Sequence, residues 1–448
     1  AMSPELLTIG MFVTLIAFIV LGLPLAYSLA GTAVIFGLIE NGFNVDGLLG
    51  FFINNAWGTM NNFVLVAVPL FILMAQLLDR AKISDALFEA LYVVMGAIKG
   101  GLGLAVIFVC VILAATTGIV GASVVGMALL AGPKLLEKGY NKQLAAGLIC
   151  SGGTLGILIP PSIMLVVYGG LTGLKETSVG ALFAAAILPG LLLAFLYMSY
   201  VFIVCQVKPA YGPPISKEEA SGYSAQQKMW MVIKSMIPPL VLIFAVMGTI
   251  LGGIATPSEA AGVGVLGAAI LAIARGSFNW RVVFDSCKAT LKTTSMVMIL
   301  VLFGNLFSAT FLFVGGGDVI TDLLIGGELQ PAMILFIMLL AIFLLGMFID
   351  WVAILLVCLP VFMPICLELG FNPLWFSMLI CIVLQTSFLT PPFGYALFYF
   401  AGAAPEGKYQ MMEIYKGVLP FIALQAIGVM ICVLFPQIIT YIPSVIFK

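Results

Sequence analysis

The sequence predicts an all-α polytopic membrane protein arranged as an inverted repeat, with two re-entrant helical hairpins and two broken helices. Three observations carry that expectation: the composition, a self-similarity at one fixed offset, and an unequal share of basic residues between the similar parts. Of 448 residues, 63% are hydrophobic and 8% charged, and the mean hydropathy is +1.23. A soluble chain of this size cannot hide so much apolar surface, so its solvent is lipid. The apolar runs are long enough for membrane helices of about 20 residues and lack the ~10-residue alternation of barrel strands. The opening "AMSPELLTIGMF" has neither a basic leader nor a cleavage site, so structure is expected from Leu6 onward.

Sliding the sequence by 231 positions lays "PKLLEKGYN" (133–141) on "PICLELGFN" (364–372). Without a gap, "LIC" (148–150) then meets "LIC" (379–381), "ILIPPS" (157–162) meets "FLTPPF" (388–393), and Tyr168 meets Tyr399. From 133 to 168 there are 12 identities in 36 positions, with Pro, Glu, Gly and Asn among them. Apolar low complexity does not produce such matches. The first copy carries Lys134, Lys138 and Lys142, whereas the second has no Lys or Arg between Lys292 and Lys408. Basic residues stay on the cytoplasmic side, so the same element is expected inside in one copy and outside in the other. Inverted repeats of this kind are typical of secondary transporters.

The remaining charge agrees. Basic residues cluster at 80–99, 208–234, 275–292 and 408–416, while the connecting stretches 40–60, 250–257 and 315–330 have none; Lys175 is the exception. Residues 1–207 form the first repeat, 208–235 a cytoplasmic loop and 236–448 the second repeat. The expected spans are 6–22, 24–39, 63–79, 142–170, 179–206, 236–251, 257–274, 293–314, 374–400 and 417–440, with both chain ends outside. The turn at Gly22-Leu23-Pro24 leaves open one bent helix instead of two spans. Segments 83–99 and 275–292 mix charge with an apolar face and read as interfacial helices.

Segments 101–133 and 331–363 are apolar with interruptions at "AATTGIVGAS" (114–123) and "LGMFID" (345–350). To preserve the charge pattern each must leave on the side it enters, as a hairpin with its tip near mid-membrane. Spans 142–170 and 374–400 are expected to break at "SGGTLG" (151–156) and "QTSFLT" (385–390), each resuming after Pro-Pro. Non-helical backbone at that depth survives only where protein, water or a ligand surrounds it. Hydroxyls of Ser151, Thr154, Thr386, Ser387 and Thr390, with freed carbonyls, are hard donors for a small cation. The half-helix start after Pro160-Pro161-Ser162 suits an anion. Against this, Gly and Pro also kink helices for packing, and Ser/Thr hydroxyls bond back to their own turn. Asp350 is a carboxylate near a tip without a basic neighbour, and such residues mark ion pathways or stay protonated. Glu259 in "ATPSEAAG" starts a span, where capping is the plain alternative to function.

Several classes are excluded. The chain has no histidine, hence no histidine metal site, Ser-His pair or histidine relay. It has no P-loop motif and no basic-aromatic cluster for nucleic acid. Its eight cysteines lie mostly in apolar runs and read as buried small residues. "GGGD" (315–318) formally matches an intramembrane aspartyl protease, but Asp318 falls at a span end and lacks a Tyr-Asp partner. All arginines and lysines fall in loops or interface segments, so an anionic cargo must be neutralised by helix dipoles, hydroxyls, amides and co-bound cations.

At "VPLFILMAQLLD" (68–79), "PKLLEKGY…IPPSIMLVVYG" (133–169), "ATPSEAAG" (255–262), "LGMFID" (345–350) and "LTPPFGYALF" (389–398), the chain resembles the large membrane subunit of tripartite ATP-independent periplasmic (TRAP) transporters, the DctM-like family. The resemblance implies an elevator in the bacterial inner membrane and sodium as coupling ion, with no other cofactor. It implies a separate small four-helix membrane subunit, a periplasmic solute-binding protein and a small organic acid as cargo. Sodium candidates are then Thr116, Gly118, Ser151, Gly152, Thr154, Gly346, Asp350, Gln385, Thr386 and Ser387. Substrate candidates are Thr117, Ser123, Pro160, Pro161, Ser162, Thr390, Pro391, Pro392 and Gly394. "TTGIVGAS" and "QTSFLTPP" depart from the family's usual Gly-Ser-Gly-Ser-like tip and Asn-x-x-Ile-Gly break, pointing to a subgroup with its own substrate. The alternative is a symporter of dicarboxylate or citrate type that needs no binding protein.

Overall fold

The repeated Gly-aromatic-Asn triplet is a helix boundary. Gly139 and Gly370 adopt φ of +76° and +72°, the left-handed conformation that ends a helix without strain only in glycine. Two residues later an asparagine caps the next helix. Leu144 N–H donates to Asn141 Oδ1 at 3.1 Å, and Trp375 N–H donates to Asn372 Oδ1 at 3.0 Å. The helices so started, Lys142–Thr154 and Pro373–Leu389, begin 231 positions apart. So do the second hairpin arms, Val120–Leu130 and Trp351–Glu368.

These observations come from a computed structural model that describes residues 3–215, 222–327, 329–391, 394–405 and 407–447, and of Thr117 the backbone only. All regular structure among them is helical, and eight helices are long and apolar enough to cross a membrane. Pro4–Val20 and Leu25–Glu40 are separate helices packed on each other, which settles the turn at Gly22 in favour of two. Each hairpin is a pair of packed arms: Gly101–Thr117 with Val120–Leu130, and Pro331–Gly346 with Trp351–Glu368. The outgoing arms run further than expected, the first through a short helix Gly132–Glu137 and the second to Glu368. Seven of the eight cysteines are buried; Cys287 is exposed. Glu259 closes a capping box with Thr256, as the plain reading of that position held.

Five expectations need correcting. Segment 275–292 is no separate interfacial helix. It forms the first turns of a 34-residue helix, Trp280–Phe313, about 51 Å long at 1.5 Å per residue. No glycine or proline interrupts that helix before Gly304. The element that matches the amphipathic helix Ile83–Met95 at the repeat offset is instead Gly316–Ile325, in a stretch read as loop. The stretch 40–60 also holds a helix, Val45–Met60, started by the Asn44 cap. The segment 208–235 gives way at Ala225 to the helix Ala225–Leu251, fixed by a Ser224–Gln227 capping box. The last span is two helices, Met411–Leu434 and Gln437–Ile446, parted at Pro436.

Helix Met411–Leu434 serves as a ruler for orientation. Near its start, Gly417 lies so close to Gln143 that a Cβ would overlap the Gln143 carbonyl. Near its end, the Cys432 carbonyl accepts from Trp375 Nε1 at 2.9 Å. Fifteen residues, about 22 Å of helix, separate those contacts. The loops 133–141 and 364–372 therefore lie at opposite ends of this helix. The basic segments, by contrast, gather together. Arg80 donates to the Asp285 carbonyl, Lys134 pairs with Glu89, and Gly100 N–H donates to Gly212 O at 2.8 Å. Asn141 N–H donates to Tyr211 O at 3.0 Å, and Lys208 shares a pocket with Lys416.

Candidate functional site

The two hairpin tips and the two interrupted helices meet around one cavity of about 90 Å³. The first tip contributes Gly118 to Gly121, and the second contributes Asp350 and Trp351. Ile157 and Ile163 flank the first interruption; Phe388 and Tyr395 flank the second, with Tyr399 one turn further on. Thr293, Met296 and Val297 of the long helix close the remaining side. Among the described residues, no lysine or arginine lines this space.

Close packing makes the convergence possible. Gly118 has φ +60° and sits where a Cβ would crowd Ile163 N and Pro161 O. A bulkier tip residue would thus be both strained and excluded. Gly152 packs on Cys110, Gly153 on Val124 and Gly156 on Ser123 Oγ, seating the first broken helix in the first hairpin. In the second copy the small residue has changed partners: Gly346 of the hairpin abuts Ser387 of the broken helix. Their repeat equivalents are Ala115 and Gly156. Tyr395 Oη donates to the Phe348 carbonyl at 3.4 Å and ties the second tip to the second half-helix.

Both breaks begin late within the stretches that the sequence marks, 151–156 and 385–390. Ser151 to Thr154 are helical, followed by a 3-10 turn Leu155–Ile157, and the next helix is Ile163–Thr172. Gln385 to Leu389 are helical too; the chain becomes extended at Thr390 (φ −88°, ψ 124°) and the helix resumes at Tyr395. At the second break proline sets the boundary, because the residue before a proline is driven from α to extended backbone; at the first, the α-helix already tightens to a 3-10 turn within the Gly-rich run. The Pro160–Pro161 bond is cis.

Four helices begin at the cavity, at Val120, Ile163, Trp351 and Tyr395. Three have no side-chain cap. The fourth is capped by Asp350, whose Oδ2 accepts from Val352 N–H at 3.1 Å. The repeat equivalent of Asp350 is Ile119, an uncapped position. Each helix start carries roughly half a positive charge. The site thus combines an electropositive backbone rim with one half-buried carboxylate, a pattern suited to an anion beside a small cation.

The predicted hydroxyls sit around this centre rather than in it. Ser151 donates to Gly147 O (2.7 Å), Thr154 to Ser151 O (2.8 Å) and Thr386 to Ile382 O (3.0 Å). Ser387 donates to Leu384 O (2.7 Å), Thr390 to Thr386 O (2.8 Å) and Thr116 to Leu113 O (3.0 Å). Ser123 donates to Ile119 O (3.1 Å), and Ser162 to Ile157 O (2.6 Å). Each hydrogen bond uses the hydroxyl proton and leaves lone pairs for an acceptor role. Thr386 faces an apolar groove beside Phe343 and Ile422, away from the cavity. Gln385 donates to Thr154 at 3.5 Å, while its Oε1 is buried without a partner. Pro391 is partly exposed and Gly394 precedes the second half-helix. Pro392 and the Thr117 side chain lie outside the described residues. Asp318 is exposed in the first turn of Gly316–Ile325, remote in role from any catalytic pair.

Sequence reasoning missed Thr293, Met296, Val297, Tyr395 and Tyr399. A signal existed for two of them. Thr293-Thr294 is a polar interruption within an apolar helix, and Tyr399 repeats Tyr168. The copies have diverged: Tyr168 is fully buried, whereas Tyr399 faces the cavity with its ring against Gly121.

Comparison with known proteins agrees with this architecture. The sequence model of the family described as "Tripartite ATP-independent periplasmic transporter, DctM component" matches residues 12–438. The C4-dicarboxylate TRAP transporter large permease protein DctM of Pseudomonas aeruginosa is 32% identical over 394 residues, covering 86% of each chain. The ectoine TRAP transporter large permease protein TeaC of Halomonas elongata is 30% identical over 443 residues, covering 99% of this chain and 100% of its own. In fold, the chain resembles the Alcanivorax borkumensis YdaH transporter with a TM-score of 0.67, at 14% identity, covering 97% of this chain and 99% of that one.

Proposed function

The chain belongs to the DctM component family of tripartite ATP-independent periplasmic transporters, and from that premise we propose that it imports a small organic acid by sodium-coupled elevator transport. The observation that carries this reading is the convergence of four helix starts and Asp350 on one cavity that no described lysine or arginine lines. Backbone dipoles attract a carboxylate but do not neutralise it fully in a low-dielectric setting. A co-bound cation supplies the rest. Asp350 and the hydroxyl and carbonyl oxygens around both breaks are the ligands favoured for it, since hard oxygen donors suit a small hard cation.

In this reading the hairpins and broken helices travel as one body against Phe63–Arg80, Pro257–Ala274 and the long helix. A periplasmic binding protein delivers the cargo, a separate small membrane subunit completes the permease, and the assembly resides in the bacterial inner membrane. The named relatives carry chemically different cargo, a C4-dicarboxylate in one case and ectoine in the other. Both bear carboxylate, which is the shared group that helix starts recognise.

Reconstitution into vesicles tests the proposal. With the small subunit, the cognate binding protein and an inward sodium gradient, labelled organic acid accumulates above its external concentration, and dissipating the gradient stops it. Accumulation that persists without sodium, or proceeds equally without binding protein, would overturn the coupling or the delivery step respectively.

A further inference from the structure

A second cavity, of about 380 Å³, opens at the basic end of the molecule. It lies where the start of helix Lys142–Thr154, the end of helix Val179–Val207 and the start of helix Met411–Leu434 come together. Its mouth holds Lys208, Lys416 and Tyr211, with Lys208 Nζ 5.3 Å from the Tyr211 ring centre. Among the described residues no carboxylate lines it. Among the described residues neither lysine has an ion-pair partner, and the nearest acid in sequence, Glu413, is held by Gln410 N–H at 2.9 Å.

Below the mouth the lining changes character. Ile203, Val204, Val207 and Pro420 form an apolar wall running toward the membrane interior, and Ile203 and Val207 are 58% and 72% exposed. Two unpaired cations above an exposed apolar trough match a molecule with an anionic head and a hydrocarbon tail. They match a free anion less well, because the trough would stay empty. The lysines come from two different basic clusters, both assigned to the cytoplasmic side by the charge bias. Basic pockets between membrane helices on that side hold anionic lipid head groups.

We propose that this cavity is a binding site for an anionic phospholipid, with its phosphate between Lys208 and Lys416 and one acyl chain along Ile203, Val204 and Pro420. The site straddles the seam where Gly147 and Gly417 bring two helix backbones into contact. A lipid here bridges the first broken helix and the last long helix.

The test uses the full purified chain in nanodiscs of phosphatidylcholine with and without 30% phosphatidylglycerol, about one anionic lipid in three. Thermal unfolding and retained lipid, by native mass spectrometry, are read for wild type, K208Q/K416Q and K208R/K416R. Wild type gains thermal stability with phosphatidylglycerol and retains it. The Gln pair loses retention on the order of tenfold, as removal of two surface charges implies, and the Arg pair keeps it. Inorganic phosphate in phosphatidylcholine discs produces no stabilisation. Equal lipid retention by wild type and the Gln pair would overturn the site. Stabilisation by inorganic phosphate alone would overturn the lipid assignment in favour of a free anion. If the Gln pair unfolds in phosphatidylcholine as readily as wild type, its lipid result is read as binding rather than misfolding; if it does not, the Arg pair against I203W, which fills the exposed trough, decides. Undiminished retention in I203W sinks the proposal.

Discussion

Gln385 Nε2 donates to Thr154 Oγ1 at 3.5 Å, and these two residues are separated by 231 positions, the offset that superposes the two sequence copies. Equivalent positions of two repeats touch only where the axis relating them passes, as in a two-fold dimer interface. The duplicated helices thus cross at the residues flanking their breaks, and the cavity lies beside that crossing. Because Thr154 also donates to Ser151 O, the contact links both broken helices into one polar unit.

The pair is expected to be coupled energetically. Thr154→Val and Gln385→Leu should each lower stability by about 1 kcal/mol, the usual worth of a buried hydrogen bond. The double variant should cost less than the sum, since removing both partners strands neither. Thermal unfolding of the four proteins in detergent gives the cycle. Strict additivity would mean that the crossing is not held by this bond.

Asp350 has two roles that a pair of substitutions separates. As the cap of Trp351–Glu368 it satisfies Val352 N–H, a duty that asparagine performs equally well. As a cation ligand it needs charge, which asparagine lacks. Asp350→Asn is expected to unfold within about 0.5 kcal/mol of wild type, whereas Asp350→Ala loses about 1 kcal/mol. Both should shift the sodium activation curve of uptake to higher concentration by tenfold or more, on the order of 1.4 kcal/mol. An unchanged curve for the asparagine variant would confine Asp350 to capping.

How far the sequence disclosed this site depends on which force placed each part. The duplication was legible because its markers, Gly139-Tyr140-Asn141 and Gly370-Phe371-Asn372, are local backbone devices that any copy needs. The interruptions were legible in kind and in stretch, but each begins only at the stretch's far end, at Leu155 and Thr390. Gly152 and Gly153 read as helix breakers, yet packing against Cys110 and Val124 holds them helical, a tertiary effect that propensity does not contain. The wall made by Thr293, Met296 and Val297 was hidden because it belongs to neither repeat signature. Only the contact between the long helix and the tips brings it to the cavity. The separate interfacial helix at 275–292 failed for a related reason: charge marked the interface correctly, but nothing between Trp280 and Phe303 ends a helix.

Gly346 against Ser387 offers a test of the second hairpin's seat. A Cβ at 346 would overlap Ser387 Oγ, so Gly346→Ala should destabilise by about 1–3 kcal/mol through overpacking. Ser387→Gly alone removes the obstacle and should restore much of that loss in the double variant. Rescue read by thermal unfolding supports the packing account. A double variant no better than Gly346→Ala would place the strain elsewhere.

The cavity is small for the cargo it is proposed to take. At about 90 Å³ it holds roughly three waters at 30 Å³ each, well below the ~300 Å³ at which ligand pockets begin. On the proposed function, the wall contributed by the long helix withdraws from the tips to admit a carbon skeleton. Met296 is the place to obstruct that movement, because it lines the cavity while remaining 57% exposed. Met296→Trp adds bulk where little native packing is lost, so stability should change by less than about 1 kcal/mol while initial uptake falls at least tenfold. Thr293→Val, which removes a hydroxyl at constant volume, should keep most of the rate if the wall acts through space alone. Uptake by Met296→Trp at the wild-type rate and KM would show that cargo passes without disturbing this helix.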